Sequence, residues 1–397
     1  MPLFGHLLLT LFLLLAFTAQ AEERRPVYIG LDGEFGLINS TSAQAIEKGI
    51  RIALHEINAA GGVLRERPLK LLTRDNRSVP ARGKENIRQF AQVKDLVAVI
   101  GGRFSPVILE ELALVHRLGI VLLDPWGAAD GITDHGHQPS YSFRLSLKDS
   151  YAMPVMLQHA RSKGAKRVGI LVPNTGWGRS SAKAAQRLQK LQSDISILKP
   201  VWYNWGEKEM LRHYLALQDA GADAIIMVAN DIEGSVLVRQ LEQVEADKRL
   251  PIISHWGVTG GKMVENSGPL LNELDFSVVQ SFSLFNAEPD KRDQVMTIAR
   301  ELFNINTIEE VASPVGLGHA YDLTHILARA VDIAGSTNRN AIRDALERVK
   351  DYRGLTGNYP RPFSAENHDA MKPEQVFMAR YRKDGAIVPL SEIPTIE

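Results

Sequence analysis

Short apolar, β-branched runs alternate with longer stretches of helical periodicity along most of this 397-residue chain. That alternation is what most limits its fold. Residues 99–129, VIGGRFSPVILEELALVHRLGIVLLDPWGAA, show one full cycle. A buried run ends at Gly101-Gly102, a helix follows from Ser105 to about Arg117, and a second buried run closes at Asp124-Pro125-Trp126-Gly127. Ser105 and Pro106 suit the N-cap and first-turn positions of that helix. Regular βαβα order with apolar strands calls for parallel sheets covered by helices on both faces. In such sheets the strand ends with their following helix N-termini form the ligand-binding edge. Taken alone, the stretch fits equally well an ordinary βαβ unit with a well-made cap.

The cycle recurs on both sides. Strands are predicted at 27–31, 69–73, 97–100, 120–123 and 141–145, with helices at 42–60, 82–93 and 149–163. The 42–60 helix carries Ile46, Ile50, Ala53, Leu54 and Ile57 on one face. The rhythm then restarts. Strands are predicted at 168–172, 197–202, 224–228, 251–254 and 276–282, helices at 179–192, 207–220 and 234–246. Three helices (289–303, 314–334, 340–349) and a late strand at 376–382 complete the chain. A restart after a loop predicts two similar α/β lobes, as does a length too great for one core.

The N-terminus reads as a secretory leader. A largely apolar run over 7–17 precedes Ala19-Gln20-Ala21, an A-x-A cleavage pattern, and is too short to span a bilayer. No Lys or Arg precedes the run. Residues 1–21 are therefore expected to be removed, leaving a soluble protein in a periplasm. Basic and acidic residues balance at 46 each, which speaks against nucleic acid or a membrane surface as partner. The chain has no Cys, hence no disulfide or thiolate metal site. Asp134-His-Gly-His137 lacks a third ligand at convincing spacing, GxGxxG is absent after every predicted strand, and no G-x-S-x-G elbow occurs. No enzyme, cofactor or metal is expected.

With this order in view, the chain resembles the type I periplasmic solute-binding proteins of the leucine/isoleucine/valine-binding group. The resemblance rests on Gly49-Ile-Arg-Ile-Ala-Leu-His-Glu-Ile-Asn58-Ala-Ala-Gly-Gly62, Val99-Ile-Gly-Gly102, Gly119-Ile-Val-Leu-Leu-Asp-Pro125, Arg167-Val-Gly-Ile-Leu-Val172, Gly176-Trp-Gly178, Ala220-Gly-Ala-Asp223, Gly318-His-Ala-Tyr-Asp322 and Gly354-Leu-Thr-Gly357. It covers nearly all of the chain after the leader. It implies two Rossmann-like lobes joined by a three-segment hinge, lobe 1 from 22–145 plus 282–353 and lobe 2 from 146–281 plus 354–397. The crossings then fall near Ser146, residues 281–283 and Gly354. It also implies a monomer that closes on a small ligand and docks on the transmembrane subunits of an ABC permease. The same architecture serves sensors that report occupancy to a membrane receptor or kinase, and the sequence does not separate the two.

Carried over residue by residue, the resemblance places a carboxylate-binding serine at Ser105, beside Phe104. It places the second-loop head-group contacts at Trp126, Gly127 and Ala128, the aromatic wall at Trp177, and a further lobe 2 contact at Asn230. The acid that pairs with an α-ammonium in the family falls on Trp256. Arg103 is expected to face solvent, with a second ligand acid as its alternative partner, and Phe35 adds to the wall. Losing both the usual threonine and the acid argues against a simple amino acid, because a buried ammonium without a carboxylate is costly. Branched-chain amino acid binding in a rearranged pocket stays open. The first expectation is an aromatic or apolar carboxylate or amide stacked on indoles. The second is a cation held by ring faces, with Asp124, Asp130 or Asp231 supplying charge.

Overall fold

The computed structural model describes residues 25–191 and 195–392. The expected leader lies outside them. The first sheet contains β1 (Val27–Gly33), β2 (Leu69–Asp75), β3 (Leu96–Gly101), β4 (Leu122–Asp124) and β5 (Ser142–Arg144), all parallel, in the order β2-β1-β3-β4-β5. Helices α1 (Ser42–Ala59), α2 (Pro80–Ala91) and α3 (Ser105–Leu118) connect its strands. The apolar face read from the sequence of α1 is buried, Ile46, Ile50, Ala53, Leu54 and Ile57 included. Gly49 permits close packing there: a Cβ would lie 2.1 Å from the Leu317 carbonyl oxygen.

The second sheet runs β15-β14-β11-β10-β9-β6-β7, with β8 beside β6. Its strands are β6 (Arg167–Pro173), β7 (Ser196–Ile197), β8 (Val201–Tyr203), β9 (Ala224–Met227), β10 (Ile252–Ser254), β11 (Phe276–Gln280), β14 (Phe377–Tyr381) and β15 (Ile387–Pro389). β6 to β11 are parallel, while β14 and β15 are antiparallel additions at one edge. The strand predicted at 197–202 is two, β7 and β8, with Pro200 between them. Helices α4 (Asp149–Ser162), α5 (Gly176–Leu191), α6 (Leu211–Asp219), α7 (Asp231–Gln240) and the short α8 (Met263–Ser267) belong to this half. α9 (Pro289–Phe303) and α10 (Pro314–Ala334) return to pack on α1, and α11 (Arg339–Leu346) packs on α10.

One boundary departs from the sequence reading. Residues 354–370 were assigned to lobe 2, yet they lie on the first lobe. Asp322 of α10 accepts hydrogen bonds from Leu355 N, Thr356 N and Tyr352 Oη, fixing the hairpin of β12 (Tyr352–Arg353) and β13 (Asn358–Tyr359). Further on, Phe363 and His368 pack on Phe143 of β5, and Ala370 N donates to Arg144 O. The last crossing thus runs beside the first one, after Ala370 rather than at Gly354. The hairpin has no long apolar run, and its anchor is a carboxylate thirty residues away, so local sequence gives no sign of it.

Candidate functional site

Each parallel sheet reverses its strand order once, between β1 and β3 in the first and between β6 and β9 in the second. At such a switch point the loops leaving adjacent strands diverge and open a crevice. Here the two crevices face one another. From the first lobe come Arg103, Phe104 and Ser105 after β3, with Trp126 and Ala128 after β4. From the second come Trp177 in the first turn of α5, Trp205 after β8, Asn230 before α7, and Trp256 after β10. Together with Pro106 and Gly257 they enclose a cavity of about 10 Å³, room for about one water. A ligand therefore enters only if the lobes part or the indoles turn.

Four of the chain's five tryptophans meet at this space. Trp126 and Trp256 approach across the cleft with ring centroids 5.7 Å apart and planes tilted by 48°. Trp205 meets Phe104 edge-on at 5.2 Å. Trp177 is oriented by Asp149, whose Oδ1 accepts from Trp177 Nε1 at 3.2 Å and from Ser181 Oγ at 2.9 Å. Trp126 is aimed by its own turn: Asp124 Oδ1 accepts from the amides of Trp126 (3.0 Å) and Gly127 (2.6 Å). Burial lifts the Asp124 carboxyl to about 7. Behind Trp256, buried His319 is pulled down to about 4 by desolvation. Its Nδ1 lies 2.9 Å from the Pro125 carbonyl, the distance of an N–H donor bond, and its Nε2 lies 3.3 Å from Ser281 Oγ at the second crossing.

The lobes are also tied directly. Arg103 Nη1 donates to Asp231 Oδ1 at 2.9 Å, with both side chains 2% exposed, and to the Gly257 carbonyl at 3.4 Å. The guanidinium lies over the Phe104 ring, 4.5 Å from its centre. Ser40 and Gly261 form an antiparallel bridge, Thr41 N donates to Gly260 O, and Ser313 Oγ donates to Thr259 O. Among the described residues, three buried donors at the cleft have no partner: Trp126 Nε1, Trp205 Nε1 and Arg103 Nε. Buried donors of this kind are nearly always satisfied, so these three stand out as open to an acceptor.

The family model described as periplasmic binding protein matches residues 26–386. The chain belongs to that family. It has the type I periplasmic binding protein fold, and its family is one of solute-binding proteins rather than enzymes. It is 22% identical over 324 residues to Leu/Ile/Val-binding protein homolog 1 of Brucella suis, covering 81% of this chain and 82% of that one. Among solved structures it resembles a branched-chain amino acid transporter substrate-binding protein of Streptococcus pneumoniae in complex with isoleucine, with a TM-score of 0.76 and 21% identity, covering 91% of this chain and 98% of the other. A solute-binding protein of R. palustris in complex with 4-hydroxybenzoate gives 0.75 and 17%, covering 92% and 95%. At these identities the structures establish the shared two-lobed fold.

Within this family member, Ser105, Phe104, Trp126, Ala128, Trp177, Asn230 and Trp256 border the cavity. Gly127 does not. Its amide serves the Asp124 turn, and a Cβ there would lie 2.6 Å from Ile132 and 2.9 Å from Ile108, so it is a packing glycine. Ser105 is not a cap, because Phe104 holds the N-cap position and no side chain caps the helix. The Ser105 hydroxyl accepts from Ala129 N at 3.2 Å, tying the two lobe 1 loops together, and retains its own proton to donate. Arg103, expected to face solvent, is buried, because Asp231 arrives from the other lobe to pair with it. Phe35 packs on the core outside the cavity lining.

The acids considered for a cation are engaged elsewhere. Asp124 holds its turn, Asp130 Oδ1 accepts from Ser150 N, and Asp231 pairs with Arg103. Trp205 was missed, since nothing in its sequence neighbourhood separates it from the exposed Trp202 three residues earlier. A larger open groove of about 1070 Å³ lies at the second crossing, between residues 281–291 and the 352–359 hairpin. Two of its hydroxyls, Tyr352 Oη and Thr356 Oγ1, are already bonded to Asp322.

Proposed function

We propose that this chain is the periplasmic substrate-binding subunit of an ABC importer, and that it captures a small, largely apolar aromatic carboxylate or amide by closure of its two lobes. The observation that carries the reading is the cleft itself. Four indoles supply flat apolar walls, which favour a ring. The unpartnered N–H groups of Trp126, Trp205 and Arg103, with the Ser105 hydroxyl, supply donors for an oxygen-bearing group. Among the described residues no carboxylate borders the space, so a zwitterionic amino acid would bury its ammonium unpaired. The leader pattern over residues 1–21 supports export, and among the described residues no helix is long and apolar enough to cross a membrane.

The names of relatives favour a second reading, a branched-chain amino acid in a rearranged pocket. A thermal-shift screen separates the two. Aromatic acids and amides are expected to raise the melting temperature, with aliphatic amino acids and quaternary amines leaving it unchanged. Stabilisation by leucine, isoleucine or valine alone would reject the proposal.

A further inference from the structure

The charges around the cleft narrow the ligand further, on the premise that it is the aromatic, acceptor-bearing one proposed above. Among the described residues, Arg103 is the one charged side chain bordering the cavity. Its Nη1 is committed to Asp231 in a pair that is almost fully buried. Glu34, itself buried, meets only the Arg103 backbone: its carboxylate accepts from the Arg103 amide at 3.4 Å and from the hydroxyls of Ser40 and Ser42. Buried Glu233 of the second lobe also feels the Arg103 charge, so one guanidinium already serves two carboxylates, Asp231 and Glu233. Glu233 also accepts from Gly206 N, while Asp149 is held by Trp177 and Ser181. A helix N-terminus contributes only partial positive charge, and α7 already carries Asp231 and Glu233 in its first turn.

A carboxylate entering this space would be a third anion around one cation, stripped of water. Burying a charge without a counter-charge is strongly unfavourable. A neutral carbonyl meets no such penalty and still offers an acceptor to the donors left open, Arg103 Nε, Trp126 Nε1 and Trp205 Nε1. An amide also brings N–H groups, for which the Asn230 side chain at the cavity edge offers an acceptor. We infer that the cleft selects an uncharged, carbonyl-bearing aromatic ligand, of the primary aromatic amide class, over the matching carboxylate, and that Asp231 sets this preference by occupying Arg103.

Calorimetric titration of the leaderless chain with benzamide and with benzoate tests it. At neutral pH benzamide is expected to bind at least about tenfold more tightly. As pH falls toward benzoic acid's own pKa, the affinity for total benzoate should rise while that for benzamide stays level. Asp231→Asn, which frees the Arg103 charge and keeps the side-chain size, is expected to move the amide-to-acid ratio toward the acid by about tenfold. Equal or tighter binding of benzoate by the unaltered chain overturns the inference and leaves the aromatic reading standing. An unchanged ratio in a folded Asp231→Asn chain overturns the role of Asp231. Should that variant not fold, the pH series on the unaltered chain decides. Failure of both probes in a chain that binds leucine overturns the aromatic reading and this inference together.

Discussion

Two arginines of the first lobe, Arg144 on its edge strand β5 and Arg103 after its central strand β3, each form a buried pair with an aspartate, and the pairs are built differently. Arg144, beside the first crossing, donates Nε to Asp369 at 2.7 Å, Nη1 to the Ala129 carbonyl at 2.9 Å and Nη2 to Thr133 at 2.6 Å. Lys148 adds a second cation to Asp369 at 2.9 Å. Arg103, in the cleft, has its Nη1 paired and its Nε open. Where each donor is used, the pair joins two chain segments of the hinge. Where a donor is left over and the partner comes from the other lobe, the pair can part with the lobes. Burial alone does not separate structural charge from recognition. Hydrogen-bond satisfaction does.

Breaking each pair sharpens the contrast. Asp369→Asn leaves the buried Arg144 and Lys148 charges without their carboxylate. It is expected to lower unfolding stability by roughly 3–5 kcal/mol in urea titration, with ligand affinity of the folded protein retained. Acid reads the same site. Burial alone would raise the Asp369 carboxyl, but the Arg144 and Lys148 charges hold it down at about 2. Because this lies below the unfolded value, the stabilisation is complete above about pH 4 and is lost as pH falls toward 2, on the order of 2 kcal/mol. Melts between pH 5 and 2 should show this loss, and it should be absent in Asp369→Asn.

In the cleft the effects move from folding to binding. Trp177→Ala or Trp256→Ala is expected to cost roughly 1–3 kcal/mol of ligand affinity by calorimetry, from the apolar wall removed. Unchanged affinity in both would remove the indoles from the site. The smallest effect is Arg103→Met on unfolding, within about 1 kcal/mol, because opening the lobes already solvates its pair. A urea midpoint shift as large as that of Asp369→Asn would erase the distinction between the two pairs.

Much of this architecture is legible in the sequence because it is local. The face of α1, the βαβ unit around β3, α3 and β4, and the restart at β6 are all periodic patterns. Trp126, Trp177 and Trp256 were placed by family resemblance at the loops that do border the cleft. The misreadings share a cause, which is distance along the chain. Arg103 looks like a surface residue until Asp231, 128 positions later, closes over it. The 352–359 hairpin looks unanchored until Asp322 receives its amides and hydroxyls. Gly127 reads as a contact from its loop, yet Ile108 and Ile132 need its missing side chain.

A crystal structure of the chain with its tightest aromatic ligand tests the central claim most directly. The account predicts the ring between Trp126, Trp177 and Trp256, with its oxygen within hydrogen-bond reach of Ser105 and of the free indole or guanidinium N–H groups. A ligand seated instead in the groove between residues 281–291 and the 352–359 hairpin, with the indole cavity unaltered, would contradict it.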